Sequence, residues 1–370
     1  MTRFITSIVF ACGIATAVSA AEPPGQWVAT LPDGGKVRVA VEPPDDKRFA
    51  HLSWCKAVRA PDGTIVLAYT AGIFHGNHGG GSPAVSISTD NGQTFSAPQV
   101  LREFGKGKDY TQSGNLALGV AGDGALVILA MAYTGNDTNH IFGWRSTDSG
   151  RTWTPTDTGT LGPDKTGSVF GNFVNVPGKG LIVLGHYRAG SSPYTSGIWM
   201  AASNDDGKSW GEPRSISAAD AAEPVLVSTE GRLIAFLRGK AKKGQEYVAV
   251  SDDQGENWVT RLSDLAPENP KTHSIAAPCA VVNPENPNEM LVLTNERGNP
   301  GRFWLWRGDA KKLEFKRERV LLEIPRIEKD NHTDYGYPWL LHVSGRKWMM
   351  FYYHGLSHGP NAIWVADVEL

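Results

Sequence analysis

Four copies of one phrase run through this chain: Ser88-Thr-Asp90-Asn-Gly92-Gln-Thr-Phe95, Ser146-Thr-Asp148-Ser-Gly150-Arg-Thr-Trp153, Ser203-Asn-Asp205-Asp-Gly207-Lys-Ser-Trp210 and Ser251-Asp-Asp253-Gln-Gly255-Glu-Asn-Trp258. Each reads Ser-x-Asp-x-Gly-x-x-aromatic, and equivalent aspartates lie 58, 57 and 48 residues apart. A phrase repeated at such intervals dictates a fold assembled from like units. The phrase itself is a tight turn between two strands. Its Asp caps backbone N–H groups, its Gly takes the positive φ, and its aromatic residue folds back on the sheet.

Upstream of each phrase lies a longer repeat: an apolar strand, a turn, and a second apolar strand. These hairpins cover 53–72, 115–135, 171–190, 222–239, 276–298 and 335–355. Arg307-Gly-Asp309…Phe315, 56 residues after the preceding boxed Asp, is a fifth, decayed phrase. Six units of about 55 residues predict an all-β chain, a six-bladed β-propeller whose radial closure leaves no long sheet edge. The last unit is expected to borrow a strand from the segment 27–41. With 42 Gly and 23 Pro the composition suits many short strands, and no break in it divides 21–370, which is expected to form a single domain.

The balance of 36 Lys+Arg against 38 Asp+Glu excludes the basic footprint of a nucleic-acid partner. Arg3, the apolar run 4–18 and the small residues Val18-Ser19-Ala20 have the pattern of a cleavable signal peptide over 1–20, cut near Ala20/Ala21. The alternative is a lipoprotein signal at Cys12, which Phe10 fits poorly. Export to the periplasm or the medium is therefore expected. No later apolar run reaches the length of a membrane span. Cys55 and Cys279 remain after cleavage, open to pairing in an exported protein or to burial as free thiols.

The boxed phrases resemble the Asp boxes of the sialidase (neuraminidase) superfamily, over nearly the whole mature chain. Asp boxes are structural, so the resemblance bears on fold more than on chemistry. Three further segments carry it into the site. Glu223-Pro-Val-Leu-Val…Gly231-Arg-Leu-Ile-Ala-Phe-Leu-Arg238 is similar to the family's fourth-blade segment, which makes Glu223 the base that activates the nucleophile. Arg238 becomes one of three arginines gripping a substrate carboxylate. The match of Asn299-Pro-Gly-Arg302 implies the same role for Arg302, and Asp334-Tyr-Gly-Tyr337-Pro places Tyr337 as the nucleophile. A tyrosine paired with a glutamate is the family's departure from the two-carboxylate mechanism of most glycosidases.

Two family features are missing. The first-blade arginine position falls on Ser53, and the loop that would hold the acid/base Asp is Gly72-Ile-Phe-His75-Gly-Asn-His78-Gly-Gly-Gly81, without a carboxylate. His75 or His78 is then the expected proton donor, since imidazole titrates near neutrality. Lys56, His51, Arg188, Arg297 and Asp334 also fall at inner-strand ends and are expected to line the substrate pocket, with Lys56 standing in for the lost arginine. No cofactor is expected, and His75-x-x-His78 is too weak a ligand pair to predict a metal. The reading is an exported, sialidase-like, exo-acting glycoside hydrolase on an anionic glycan containing sialic or uronic acid. A polysaccharide lyase on a uronic-acid glycan and a non-catalytic glycan-binding propeller are the alternatives. The partner in every case is an oligo- or polysaccharide.

Overall fold

Each Asp box closes through the same hydrogen bonds. In the first, Ser88 Oγ donates to Asp90 Oδ1 at 2.7 Å and accepts from the Gly92 N–H at 2.8 Å, while the Thr94 N–H donates back to Asp90 Oδ1 at 2.9 Å. The boxes at Asp148, Asp205 and Asp253 repeat this pattern. Asp309 of the decayed phrase still caps the N–H groups of Lys311 and Lys312. The glycine is left-handed in all four boxes, and so is the residue before it: Asn91, Ser149, Asp206 and Gln254.

The computed structural model describes residues 29–31, 35–76, 79–134, 138–162, 166–188, 196–240, 244–325 and 332–370. The expected leader 1–20 and His78 lie outside them. After β1 (Ala29–Thr30) and β2 (Lys36–Val41), six antiparallel meanders follow. The first is β3 (His51–Arg59), β4 (Ile65–Gly72), β5 (Ser82–Ser88) and β6 (Gln99–Val100). The second is β7 (Gln112–Val120), β8 (Leu126–Thr134), β9 (Thr138–Ser146) and β10 (Thr154–Thr156). The third is β11 (Gly167–Val176), β12 (Gly180–Tyr187), β13 (Ile198–Ser203) and β14 (Arg214–Ser217). The fourth is β15 (Ala221–Thr229), β16 (Arg232–Gly239), β17 (Tyr247–Ser251) and β18 (Val259–Leu262). The fifth is β19 (Ser274–Asn283), β20 (Asn286–Arg297), β21 (Gly301–Asp309) and β22 (Phe315–Ile324). The sixth is β23 (Thr333–Ser344), β24 (Lys347–Leu356) and β25 (Asn361–Glu369), completed by β2, which pairs antiparallel with β25.

The fold is all-β, with a short helical turn at Gly159–Leu161, and among the described residues no helix is long and apolar enough to cross a membrane. Parallel bridges join β25 to β3 and β7 to β11, so hydrogen bonding groups the meanders into four sheets of nine, eight, four and four strands. The first strands lie side by side in sequence order, β3 against β7, β7 against β11, β11 against β15, β15 against β19 and β19 against β23, and β23 returns to β3. Second strands are buried on both faces; every residue of β4 is buried, which explains their continuous apolar runs. Cys55 and Cys279 are buried free thiols, and burial pushes both up to about 12, so both stay protonated.

Candidate active site at the inner-strand bulges

The first hairpin of every meander slips register at a matching place: between Ser53 and Lys56, Ser113 and Leu116, Phe170 and Phe173, Ala222 and Val225, Ala276 and Cys279, and Gly336 and Trp339. In five of the six the bulge holds a left-handed residue, namely Trp54, Gly171, Glu223, Ala277 and Tyr337. A bulge interrupts the alternation of a strand and re-aims a side chain. Positive φ is costly for a residue with a Cβ. Gly171 shows the crowding, since a Cβ there would lie 2.7 Å from the Pro224 carbonyl oxygen. Proline follows Glu223, Ala277 and Tyr337, and at a bulge its missing N–H forfeits no ladder bond.

Three of these bulges converge on one carboxylate. Tyr337 Oη donates to Glu223 Oε1 at 2.6 Å, and Arg238 Nη1 donates to the same oxygen at 2.9 Å. The Ala277 N–H donates to Oε2 at 3.2 Å. Burial alone would raise the pKa of Glu223, but Arg238, the bond from Tyr337, Arg297 and His186 outweigh it and hold the carboxyl at about 2. Tyr337 is pushed far above the usual phenol range, first by burial and then by the charge of Glu223. The resting pair is thus a neutral phenol donating to a carboxylate, the contact that activation of a tyrosine by an adjacent base would require. Burial brings His186 down to about 3, and its neutral Nδ1 faces the Glu223 N–H at 3.3 Å.

A second cluster stands beside the first. Asp334 Oδ2 meets His75 Nδ1 at 2.8 Å and His51 Nε2 at 3.1 Å, while Tyr353 Oη donates to Oδ1 at 3.3 Å. Burial would raise the pKa of Asp334; the bonds from His51 and His75 prevail and hold it well below the usual carboxylate range. His51 Nδ1 faces the Gly359 carbonyl at 3.0 Å. A carbonyl only accepts, so Nδ1 is the donor in that contact. His51 and Asp334 are buried, whereas the His75 side chain is 31% exposed. His75 is therefore the open end of the cluster. The Trp54 ring links the two clusters, its centroid 4.9 Å from His75 and 6.4 Å from Tyr337. Ligand atoms of His51, His75 and Asp334 lie within 4.8 Å of one another, as do those of Glu268, His273 and Glu296, the sets able to hold a cation among the described residues.

Other expected pocket residues are placed differently. Arg302 points to Glu268 and, at 2.7 Å, to Glu323. The arginine whose charge acts on Glu223 together with Arg238 is Arg297. Lys56, expected at the substrate, is wholly buried; its Nζ lies 4.2, 4.9 and 5.4 Å from the ring centroids of Phe170, Trp339 and Tyr337. Ser53 bonds Thr70 in the core. Arg188 lies 4.7 Å over the Tyr133 ring, and its charge acts on His186 and Lys240. Two residues escaped sequence reasoning. Trp54 had a signal, since it precedes its turn glycine Gly63 by nine residues, as Glu223 and Tyr337 precede Gly231 and Gly345 by eight. Glu246 had none: it is wholly buried, both its carboxyl oxygens lack a hydrogen-bond partner among the described residues, and burial raises its pKa well above the ordinary value, against the opposing charge of Arg238.

Residues 102–349 match the model of the BNR repeat-like domain. No curated protein matches the chain. Among solved structures, a protein of unknown function from Dyadobacter fermentans superposes with a TM-score of 0.69 at 17% identity, over 90% of this chain and 98% of that one. The Hadza microbial sialidase Hz136 gives 0.65 at 17%, over 88% and 67%. The α-L-arabinofuranosidase Arb93A from Fusarium graminearum gives 0.64 at 13%, over 90% and 97%. At such identities the likeness concerns the fold, which is that of sialidase-like and arabinanase-like glycoside hydrolases. The chain belongs to the BNR repeat-like domain family.

Proposed function

We propose that this protein is an exported, exo-acting glycoside hydrolase on an anionic glycan, its six meanders closed as the blades of a propeller. The succession of first strands, with β23 back against β3, supports the closure. The observation that carries the function is the Tyr337–Glu223 bond at 2.6 Å, with Arg238 on the same carboxylate oxygen. Arg238 and Arg297 receive the acidic group of the sugar, since guanidinium forks match carboxylates and keep their charge. Tyr337 Oη attacks the anomeric carbon while its proton passes to Glu223 Oε1. The departing glycosidic oxygen takes a proton from His75, which Asp334 and His51 orient. In the second half His75 withdraws a proton from water, the water oxygen displaces Tyr337, and Glu223 returns the phenolic proton.

Incubation with sialosides, uronic-acid-terminated oligosaccharides and arabino-oligosaccharides, with products read by mass spectrometry and ultraviolet absorbance, tests this. Cleavage of an acidic glycan that disappears in Tyr337→Phe and Glu223→Gln is the expected result. An unsaturated, ultraviolet-absorbing product would identify a lyase. Glycan binding without cleavage, unchanged in both variants, would leave only a binding protein.

A further inference from the structure

Lys56 is the residue whose burial the hydrolytic mechanism leaves unexplained. Its side chain is fully enclosed, and its Nζ donates to the carbonyls of Cys55 at 3.3 Å and Trp54 at 3.4 Å, both near the long limit of a hydrogen bond. No carboxylate bonds it among the described residues. Instead it faces three aromatic rings, those of Phe170, Trp339 and Tyr337. A buried ammonium with no carboxylate bonded to it is expensive, and a methionine would fill much of the same volume without that cost. Burial brings Lys56 down to about 8, with Cys55, Glu223 and Cys279 opposing, so the cation persists at neutral pH.

Glu223 and Tyr337 both change charge in the proposed reaction, and Tyr337 is the one whose ring Lys56 faces. A cation within 6 Å of a ring centroid is attracted by a neutral phenol and far more by a phenoxide, which carries a full negative charge. We propose that Lys56 is a positioning residue that favours transfer of the Tyr337 phenolic proton to Glu223 by stabilising the ring from below. In that step the Oη–H bond breaks, the proton goes to Glu223 Oε1, and the freed electron pair forms the Oη–carbon bond as the glycosidic bond breaks; nothing is oxidised or reduced. The hydroxyl end of Tyr337 faces Glu223, Arg238 and Arg297, and its ring meets Trp54, Phe170 and Tyr353. Lys56 is the cation on the ring side. Its enclosure also explains why it cannot replace the arginine missing at Ser53.

This inference rests on Tyr337 as the nucleophile, but its test needs no turnover. A fluorinated tyrosine, a stronger acid than tyrosine, is placed at position 337 in the full chain and titrated by fluorine NMR. Lys56 itself loses its proton below the midpoint of Tyr337, so the variants compared are Lys56→Arg, charged throughout, and Lys56→Met. The midpoint is expected about one pH unit lower with arginine, tenfold in the ionisation constant. Equal midpoints in the two variants would overturn the proposal. In the unmutated chain, nitrogen-15 NMR of the lysine side chains should find three protons on Lys56 Nζ at pH 7, a reading independent of how the variants fold. A neutral amine there would overturn it equally. If the midpoints differ while no glycan is cleaved, the glycosidase reading fails and the electrostatic pairing stands.

Discussion

The phenolic O–H of Tyr337 points at Glu223 Oε1 from 2.6 Å, and both residues occupy the same left-handed bulge position, in β23 and β15, at φ of 54° and 50°. Each such conformation costs about 1–3 kcal/mol, and the paired bulges hold two side chains from distant strands on one line. A base and nucleophile in direct contact act as a unit, so their losses should not add. Tyr337→Phe and Glu223→Gln are each expected to lower kcat by roughly 10²–10⁴-fold, and the double variant to be no worse than the poorer single one. Initial rates on the cleaved glycan decide this; multiplicative losses would show that the two residues act separately.

Arg238 and Arg302 separate the family resemblance from the observed geometry. Arg238 bonds Glu223 in the site, whereas Arg302 is engaged by Glu268 and Glu323. Removing a charged hydrogen-bond partner costs about 1.5–3 kcal/mol, so Arg238→Gln should raise KM roughly 10- to 100-fold for an acidic substrate. Arg302→Gln should leave KM within about twofold, because its guanidinium is engaged by Glu268 and Glu323 and not by Glu223. A KM that rises for Arg302→Gln as it does for Arg238→Gln would return Arg302 to the substrate.

Turn chemistry is local, and that is why so much of the architecture was legible. Ser88, Asp90 and Gly92 close their loop with bonds only two to four residues long, so the phrase alone implies the turn. The strand β2 was legible from its apolar alternation. Side-chain direction at the inner strands was not, because a bulge breaks the period of two from which direction is inferred. Lys56, two residues beyond the left-handed Trp54, is turned inward under the Tyr337 ring. Arg302 and Arg297 lie on neighbouring strands, and only their partners in space distinguish them. The dipeptides Glu223-Pro224, Ala277-Pro278 and Tyr337-Pro338, at matching places in three hairpins, were the available sign of the bulges.

Each Asp box stacks two left-handed residues, and only the second is a glycine. Gln254 holds φ of 58° in an exposed turn, so its Cβ opposes the backbone without gaining packing. Gln254→Gly should stabilise the fold by up to about 1 kcal/mol, the cost of left-handed backbone for a residue with a Cβ, or about 2 °C in Tm. Gly255→Ala should do the reverse. Its φ is 92°, and an added Cβ would sit 3.3 Å from Leu233 and from Met200. Calorimetry on the two variants checks both; a Gln254→Gly protein that melts below the parent would contradict the strain argument.

Acid should unfold the protein in two stages. His186 has a folded pKa of about 3 against an ordinary 6.5, so below pH 6.5 the unfolded chain binds the extra proton. The stability held by neutral His186 is complete above that pH and falls as pH drops toward 3, by up to about 1.4 kcal/mol per pH unit. His354, brought by burial to about 4, acts in the same direction. The boxed aspartates follow. Hydrogen bonds within their turns hold Asp148, Asp205 and Asp253 at about 2, below the ordinary 3.8, with burial opposing. Their contribution is present above pH 3.8 and is lost between there and 2. Urea titrations at stepped pH should therefore show one decline beginning below 6.5, flattened by His186→Gln, and a steeper one below 4, flattened by Asp148→Asn. A stability curve level from pH 7 to 4 would mean that His186 is not buried neutral behind Glu223.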